Sequence, residues 1–292
     1  MKIGILSFRS RDPEPAIEDH KLVKAAQELG HEALLIPAWE CSVEYHGQET
    51  VYWNGQPFPS LDVLIPRARF IDYVELHLHL LEILERTVPV LNKSAAIARA
   101  KNKIKTLELL KKKSLPVPLS AVINDLAGLS CVKKYPVVLK TPYGTFGNGV
   151  HLVHDRDEAE AVLSKYFKRR MASHFIVQEF IEEAANKDTR VFVLGDKVLA
   201  AMERQAMEGE FRSNVELGAS AQAVTPSKEA ADLAIAAVRA LGLDYAGVDI
   251  IQSSRGPLVL EVNANSGFKT LEEVSGVNVA KALIEYAAQR LH

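Results

Sequence analysis

Two segments near the C-terminus constrain this chain most: "YAGVDII" (245–251) and "PLVLEVNANSG" (257–267). Each opens as a near-continuous apolar run, the pattern of a buried β-strand. Asp249, Glu261 and Asn263 interrupt those runs. A carboxylate inside a sheet is costly unless a cation or strong donors compensate it. Glu261 and Asn263 are two residues apart, so a strand puts both on one face, with Val262 on the other. Asp249 on a neighbouring strand supplies a third oxygen. Hard oxygen ligands of this kind suit magnesium, usually held by one or two carboxylates together with substrate phosphates. The simpler alternative is a set of hydrogen-bonded polar residues at strand ends.

The bulk properties narrow the function classes. The 292 residues suffice for two or three domains. A net charge of -2 implies no broad attraction to nucleic acid or membrane, so neither DNA nor a membrane is an expected partner. The longest apolar runs are strand-length, and nothing spans a bilayer. The opening "MKIGILSFRS" lacks a secretory apolar region and reads as the first strand of a mature domain. Cys41 and Cys131 are the only cysteines and lie far apart, which fits a reducing cytoplasm. His77 and His79 fall on different faces of an expected helix and read as surface or packing residues rather than zinc ligands.

Strands alternate with helices over the first ninety or so residues. "KIGILS", "ALLIP" (33–37), "LDVLIP" (61–66) and "VPVLN" (88–92) read as strands. Helices are expected over 16–29, ended by Gly30, and near 72–86. This is the βαβ rhythm of a parallel sheet covered by helices. No Gly-rich phosphate fingerprint follows the first strand, so this half is a poor nucleotide site. Arg67 and Arg69, just beyond the third strand, are placed to meet an anionic substrate at a carboxyl strand end; ordinary surface arginines are the alternative.

Ser94 is a reasonable N-cap for one helix running to Lys113. From 116 to 185 a small mixed unit follows, with strands at "PVVLK" and "FIVQEFI" and a helix over 157–168. "TRVFVLG" and "KVLAAMERQ" form a hairpin turning at Gly195-Asp196. Thr225 as N-cap and Pro226 at the first helical position open a helix to 241. A final helix covers about 276–291. The expected domains are 1–93, an N-terminal α/β unit; 94–185, a helical linker with a small lid; and 186–292, a C-terminal unit carrying the metal site.

Within this frame, "KTPYGTFGNGV" (140–150) places Gly144, Gly147 and Gly149 in a loop between two strands. Glycines let backbone N–H groups approach phosphate oxygens and let a loop open and close. An ordinary hairpin turn is the alternative. Lys140 ends the apolar run "PVVL", where an unpaired ammonium is unfavourable and a phosphate would resolve the cost. Lys103 can add a second cation. "FIVQEFI" offers an apolar wall for adenine, with Glu179 and the backbone of Phe180 as hydrogen-bonding groups. In "MERQAMEGEFRSN", Arg204 and Arg212 are cations that can face developing negative charge, and Asn214 can add a phosphate or metal contact.

The order of these elements, with "QEF", "KDTR", "FRSN", "GVD" and "EVNANSG", resembles the ATP-grasp superfamily. It is most similar to the RimK-type glutamate ligases, which add glutamate to a ribosomal protein's C-terminus. The resemblance spans nearly the whole chain. It implies a mixed α/β and α+β architecture: an ATP-grasp fold preceded by a Rossmann-like (pre-ATP-grasp) α/β domain, with ATP clamped between lid and C-terminal domain. It implies that Lys103 and Lys140 contact ATP phosphates beneath a loop of Gly144, Thr145, Gly147 and Gly149. It implies that Glu179 and Phe180 form the adenine hinge, and that Asp188 faces the nucleotide at its ribose. Arg212, Ser213 and Asn214 contact nucleotide or phosphate. Asp249, Glu261 and Asn263 hold two Mg2+ ions, with Mn2+ as an alternative, and Arg204 is the catalytic cation.

The implied reaction is ATP-dependent amide formation through an acylphosphate. Glutamate, or a similar amino acid, joins a peptide or protein C-terminus or a small carboxylate acceptor. Homo-oligomers are expected from the resemblance. Two departures leave the acceptor open. "NANSGFK", with Asn265, Ser266 and Lys269, stands where a Ser-Pro-Gly turn is usual, and Gln205 and Met207 replace two cations. Rival readings are a lysine-biosynthesis carrier-protein ligase, a glutathione-synthetase-like enzyme, and a non-catalytic ATP-binding module.

Overall fold

The computed structural model describes residues 1–8, 16–69, 74–144, 147–169 and 173–290. Thr145, expected in the nucleotide loop, lies outside them. The N-terminal part starts with β1 (Lys2–Ser7), α1 (Ile17–Glu28) and β2 (Glu32–Pro37). A hairpin of β3 (Cys41–His46), β4 (Gln48–Trp53) and β5 (Gln56–Pro57) follows, then β6 (Val63–Arg67) and α2 (Val74–Leu84). Strands β2, β1 and β6 make a parallel sheet, in that order. The expected strand at 88–92 is reduced to one parallel bridge, Leu64 to Val90. Pro89 has no N–H to extend the ladder, and Asn92 is diverted elsewhere. Its buried amide donates to the carbonyls of Tyr245 and Ala264 and accepts from the N–H groups of Asp244 and Tyr245.

The single helix expected over 94–113 is two helices, α3 (Ser94–Lys101) and α4 (Lys103–Lys112). Lys93, not Ser94, holds the N-cap position. Asn102 breaks the run with an extended backbone, and its side chain accepts from the N–H groups of Ile104 and Lys105. That is a second N-cap inside the sequence.

The lid comprises β7 (Ser120–Ile123), β8 (Val137–Lys140), β9 (Val150–Val153), α5 (Arg156–Lys168) and β10 (Phe175–Glu179). Its antiparallel sheet runs β7-β10-β8-β9 over its own core of Ile123, Leu139, Val153, Leu163 and Phe175.

The C-terminal part holds β11 (Lys187–Leu194), β12 (Lys197–Gln205), β13 (Ser220–Ala223), α6 (Lys228–Leu241), β14 (Tyr245–Ser253), β15 (Gly256–Asn263), α7 (Lys269–Ser275) and α8 (Val279–Gln289). Its sheet is ordered β13-β12-β11-β14-β15 and is antiparallel throughout. α6 is capped by Ser227, whose Oγ accepts from Ala230 N–H, so Thr225 and Pro226 precede the cap rather than forming it. The short α7 was not expected.

One buried cluster joins the two ends of the chain. Ile3, Ile5 and Leu22 pack with Phe192, Tyr245, Phe268 and Leu283. Each such side chain contributes about 2 kcal/mol of burial, taken as an upper value. The N-terminal sheet is therefore fixed against the C-terminal one, while the lid keeps a separate core. Among the described residues, no helix is long and apolar enough to cross a membrane.

Candidate active site

A cleft of about 650 Å³ opens where the three parts meet. Its floor is one face of the C-terminal sheet, and strand register explains which side chains reach it. Asp188 on β11 pairs with Arg204 on β12, Arg190 on β11 with Asp249 on β14, and Asp249 with Glu261 on β15. Residues 188 and 190 share a face, so these partners form a polar row across four strands.

The row is held by charge-assisted bonds. Arg190 donates through Nε and Nη2 to the two oxygens of Asp249, both at 2.8 Å. Arg204 grips Asp188 the same way, at 2.7 and 2.6 Å, and its Nη2 lies 3.1 Å from Asp249. Burial would raise the Asp249 pKa, but Arg190 and then Arg204 outweigh it and hold the carboxyl well below the usual range. Asn263 Nδ2 lies 3.3 Å from Asp249, and Glu261 accepts from Lys103 Nζ at 2.8 Å. Asp249, Glu261 and Asn263 therefore converge on the cleft, as the sequence leads one to expect. Among the described residues, no three His, Cys, Asp or Glu side chains form a ready-made metal cage. Two carboxylates and an amide oxygen fit a divalent ion that completes its shell with phosphate oxygens.

The roof belongs to the lid. Lys140 is not unpaired: it donates to Gln178 at 2.6 Å. Burial still pulls its pKa down to about 8. Lys103 also bonds the Gly144 carbonyl at 3.1 Å, and its backbone N–H donates to Pro142. The start of α4 is thus tied to the glycine loop. Arg212 Nη1 reaches the Gly147 carbonyl at 3.0 Å, while Glu210 braces the same guanidinium. Ser213 and Asn214 line the cleft beside it, and Asn214 caps a short turn through Glu216 N–H.

Gly147 and Gly149 have φ of 74° and 73°, a region that side chains disfavour. A Cβ at Gly149 would meet Thr141 Oγ1 at 2.3 Å, and one at Gly147 would meet Arg212 Cδ at 3.1 Å. Gly147→Val is therefore expected to lower kcat on the order of 10- to 100-fold by misplacing the loop. Single-turnover kinetics check it; an unchanged rate would make the segment a passive turn.

Two expected residues sit differently from their sequence reading. The Glu179 carboxylate is turned to Leu119 N–H and to Arg255, leaving Phe180 and the strand backbone to face the cleft. Phe180 packs edge-on to Phe211. Arg67 is not an anion-facing residue: it is fully buried, bonded through Nε to Asp19 at 3.0 Å, and lies over the Phe268 ring. It ties the N-terminal domain to the loop after β15. Arg69 does line the cleft, bonded to Glu18 at 2.6 Å. Sequence reasoning gave no role to Arg190, Lys101 or Glu18, which also line it.

Comparison with known proteins identifies the family and the fold. The RimK pre-ATP-grasp domain family matches residues 1–97, and the RimK-like ATP-grasp domain family matches residues 100–287. A protein of Pseudoalteromonas translucida named "Probable alpha-L-glutamate ligase" is 38% identical over 295 residues, covering 98% of this chain and 95% of the relative. "Probable alpha-L-glutamate ligase 2" of Shewanella amazonensis has the same identity and coverage. Among solved structures, the ATP-grasp ligase PsnB, complexed with a phosphomimetic variant of its minimal precursor, Mg and ADP, superposes with a TM-score of 0.74. Its identity is 21%, covering 99% of this chain and 98% of that one. A RimK domain protein from Sphaerobacter thermophilus gives 0.71 at 22% identity, covering 99% and 100%. These structural likenesses speak for the fold. Sequence match and fold together place the chain in the RimK-like ATP-grasp family.

Proposed function

We propose that this ATP-grasp ligase activates an acceptor carboxylate with ATP and joins it to the amine of glutamate or a related amino acid. The observation that carries the proposal is the facing arrangement of Asp249, Glu261 and Asn263 with Lys103, Lys140 and the glycine loop around one cleft. Paired oxygens opposite paired ammonium groups suit a triphosphate bridged by divalent ions.

In this reading Asp249, Glu261 and Asn263 hold two Mg2+ ions, with Mn2+ able to replace them. Held there, such ions would supply charge neutralisation of the triphosphate and Lewis-acid help to phosphoryl transfer. Lys103 and Lys140 contact phosphate oxygens. Phe180, the backbone at Glu179, and Phe211 wall the adenine. Asp188 is held by Arg204 and faces the nucleotide from the cleft floor. Arg212, with Ser213 and Asn214, latches the glycine loop and excludes water from the activated carboxylate. Arg204 directs positive charge at the oxyanion of amide formation through Nη1, the nitrogen that neither Asp188 nor Asp249 holds. Within 94–185, the lid strands and α5 move on their separate core, while α3 and α4 stay packed with the C-terminal domain (186–292), itself fixed to 1–93. The name of the relatives, alpha-L-glutamate ligase, favours glutamate. The altered loop at Asn265–Lys269 leaves a peptide C-terminus and a small carboxylate as the acceptor classes to compare. Action in the cytoplasm as a homo-oligomer completes the proposal.

The test is incubation with ATP, magnesium and labelled glutamate against a panel of peptides and small carboxylates. ADP release that depends on both glutamate and an acceptor supports the reading. ATP binding without such release would favour a non-catalytic module.

A pH effect follows from Lys140. Its pKa of about 8 in the free protein means the ammonium is present below pH 8 and lost as pH rises through it. A bound triphosphate favours the charged form. Nucleotide binding should therefore take up close to one proton at about pH 9 and none at about pH 6.5. Titration calorimetry in buffers of different ionisation heat measures this. Lys140→Met should cut the uptake by about half or more, Lys101 with its own pKa of about 8 supplying any remainder; uptake unchanged in that variant would contradict the assignment.

A further inference from the structure

The cleft reaches from Asp249 and Glu261 to residues beside the carboxyl ends of the N-terminal parallel sheet. Its far wall carries charge from three separate elements. Glu18 lies in the first turn of α1, Arg69 just after β6, and Lys101 at the end of α3. All three line the same cavity as Asp249 and Glu261. Arg69 Nη2 donates to Glu18 Oε2 at 2.6 Å, and the Arg69 side chain remains 27% exposed. Glu18 is 8% exposed. Burial would raise its pKa, but Arg69, a backbone hydrogen bond and Arg67 together outweigh that and lower it, keeping the carboxylate ionised. Lys101 ends α3 one residue before Asn102, the cap of the helix that Lys103 starts. Burial, with Lys103 adding to it, pulls its pKa down to about 8, so its ammonium is present at neutral pH.

The opposite side is the Asn265–Lys269 loop. It is anchored to the same N-terminal elements, because Arg67 lies over Phe268 and bonds Asp19, the neighbour of Glu18. A Cβ placed on Gly267 would stand 3.3 Å from Glu18 Oε1, so the loop passes directly over that carboxylate. A carboxylate, a guanidinium and an ammonium thus line one cleft, with Asn265, Ser266 and a further cation, Lys269, on the facing loop. That charge pattern complements a zwitterion bearing an extra carboxylate, and suits neither an adenine nor a purely anionic group.

We infer that Glu18, Arg69 and Lys101 form the subsite for the free amino acid. Arg69 and Lys101 hold its carboxylates and Glu18 holds its ammonium, with the Asn265–Lys269 loop closing the pocket. This inference rests on the ligase reading and names the residues that select its amino-acid substrate. The amine is then presented toward the carboxylate activated over Glu261, and neutral amino acids lose the bond that a second carboxylate makes. An acceptor peptide end has a carboxylate without a neighbouring ammonium, and so does not satisfy Glu18.

Direct titration separates the subsite from the chemistry. L-Glutamate, L-glutamine and N-acetyl-L-glutamate are titrated into the full chain saturated with ADP and magnesium. The inference expects L-glutamate to bind about tenfold or more tightly than either analogue, since each lacks one charge-assisted contact. Arg69→Met and Lys101→Met should each weaken L-glutamate by about tenfold and shrink its advantage over L-glutamine. Glu18→Gln should shrink the advantage over N-acetyl-L-glutamate instead. ADP affinity is the control for an intact cleft in every variant, and Lys101→Met leaves the Glu18–Arg69 pair in place should Arg69→Met disturb it. Equal binding of L-glutamate and N-acetyl-L-glutamate would overturn the inference, as would variants that leave both ratios unmoved. Failure of the ligase reading shows differently, as absent ADP release in turnover assays, whatever the titrations give.

Discussion

Glu261→Gln should lower ATP turnover by about a thousandfold or more while the protein stays folded. The Glu261 side chain is 34% exposed at the cleft floor, so the isosteric change leaves the core intact. It removes the charge that meets Lys103 and that the proposed metal site requires. Lewis-acid stabilisation of a transferring phosphoryl group is worth several kcal/mol, and about 1.4 kcal/mol corresponds to each factor of ten. ADP release and far-ultraviolet circular dichroism, measured together, separate chemistry from unfolding. Near-normal turnover would remove Glu261 from the metal site and with it the proposed use of the cleft floor.

Arg204→Met should act on stability as well as rate. Arg204 is 4% exposed and is bonded to Asp188, with Asp249 also in reach. Removing one member of a buried pair leaves the other charge uncompensated, at a cost of about 3–5 kcal/mol. Asp188→Asn in the same chain should restore most of the lost stability and none of the activity. Denaturant midpoints of the two singles and the double form the cycle. Independent, additive effects would mean that the pair is not coupled. The same row sets an acid limit. Asp249 has its pKa depressed in the folded protein, so its contribution is fully present above about pH 4 and is lost as pH falls through the lower folded value. The part of the stability that Asp249 supplies should therefore fall away below about pH 4 and be smaller in Arg204→Met, while Asp188, whose pKa burial raises, acts in the opposite sense.

Much of this arrangement was legible in the chain because strand parity is strict. The spacing of Glu261 and Asn263, and the polar breaks in otherwise apolar runs, put the oxygen donors on one face before any coordinates. The lid and the hairpin at Gly195 were equally readable. The misses have physical causes. Asn102 looks like an ordinary helix residue, yet its side chain restarts the helix and turns Lys103 toward the loop. Pro89 hides the loss of a strand at 88–92. The hairpin at 41–57 was passed over, although Asn54-Gly55, both at positive φ, is a strong turn signal between β-branched and aromatic residues. Arg190 could have been found: it is two residues from Asp188 and so shares its face with the acids. Arg67 could not, since only tertiary packing decides that it is buried over Phe268 while Arg69 is left in the cleft.

Oxygen-18 in the acceptor carboxylate tests the central claim most directly. With an acceptor drawn from the glutamate-incorporation panel, one labelled oxygen per turnover should appear in inorganic phosphate, because the γ-phosphoryl group leaves with a carboxylate oxygen. Unlabelled phosphate, with both labelled oxygens retained on the acceptor, would contradict activation of a carboxylate in this cleft.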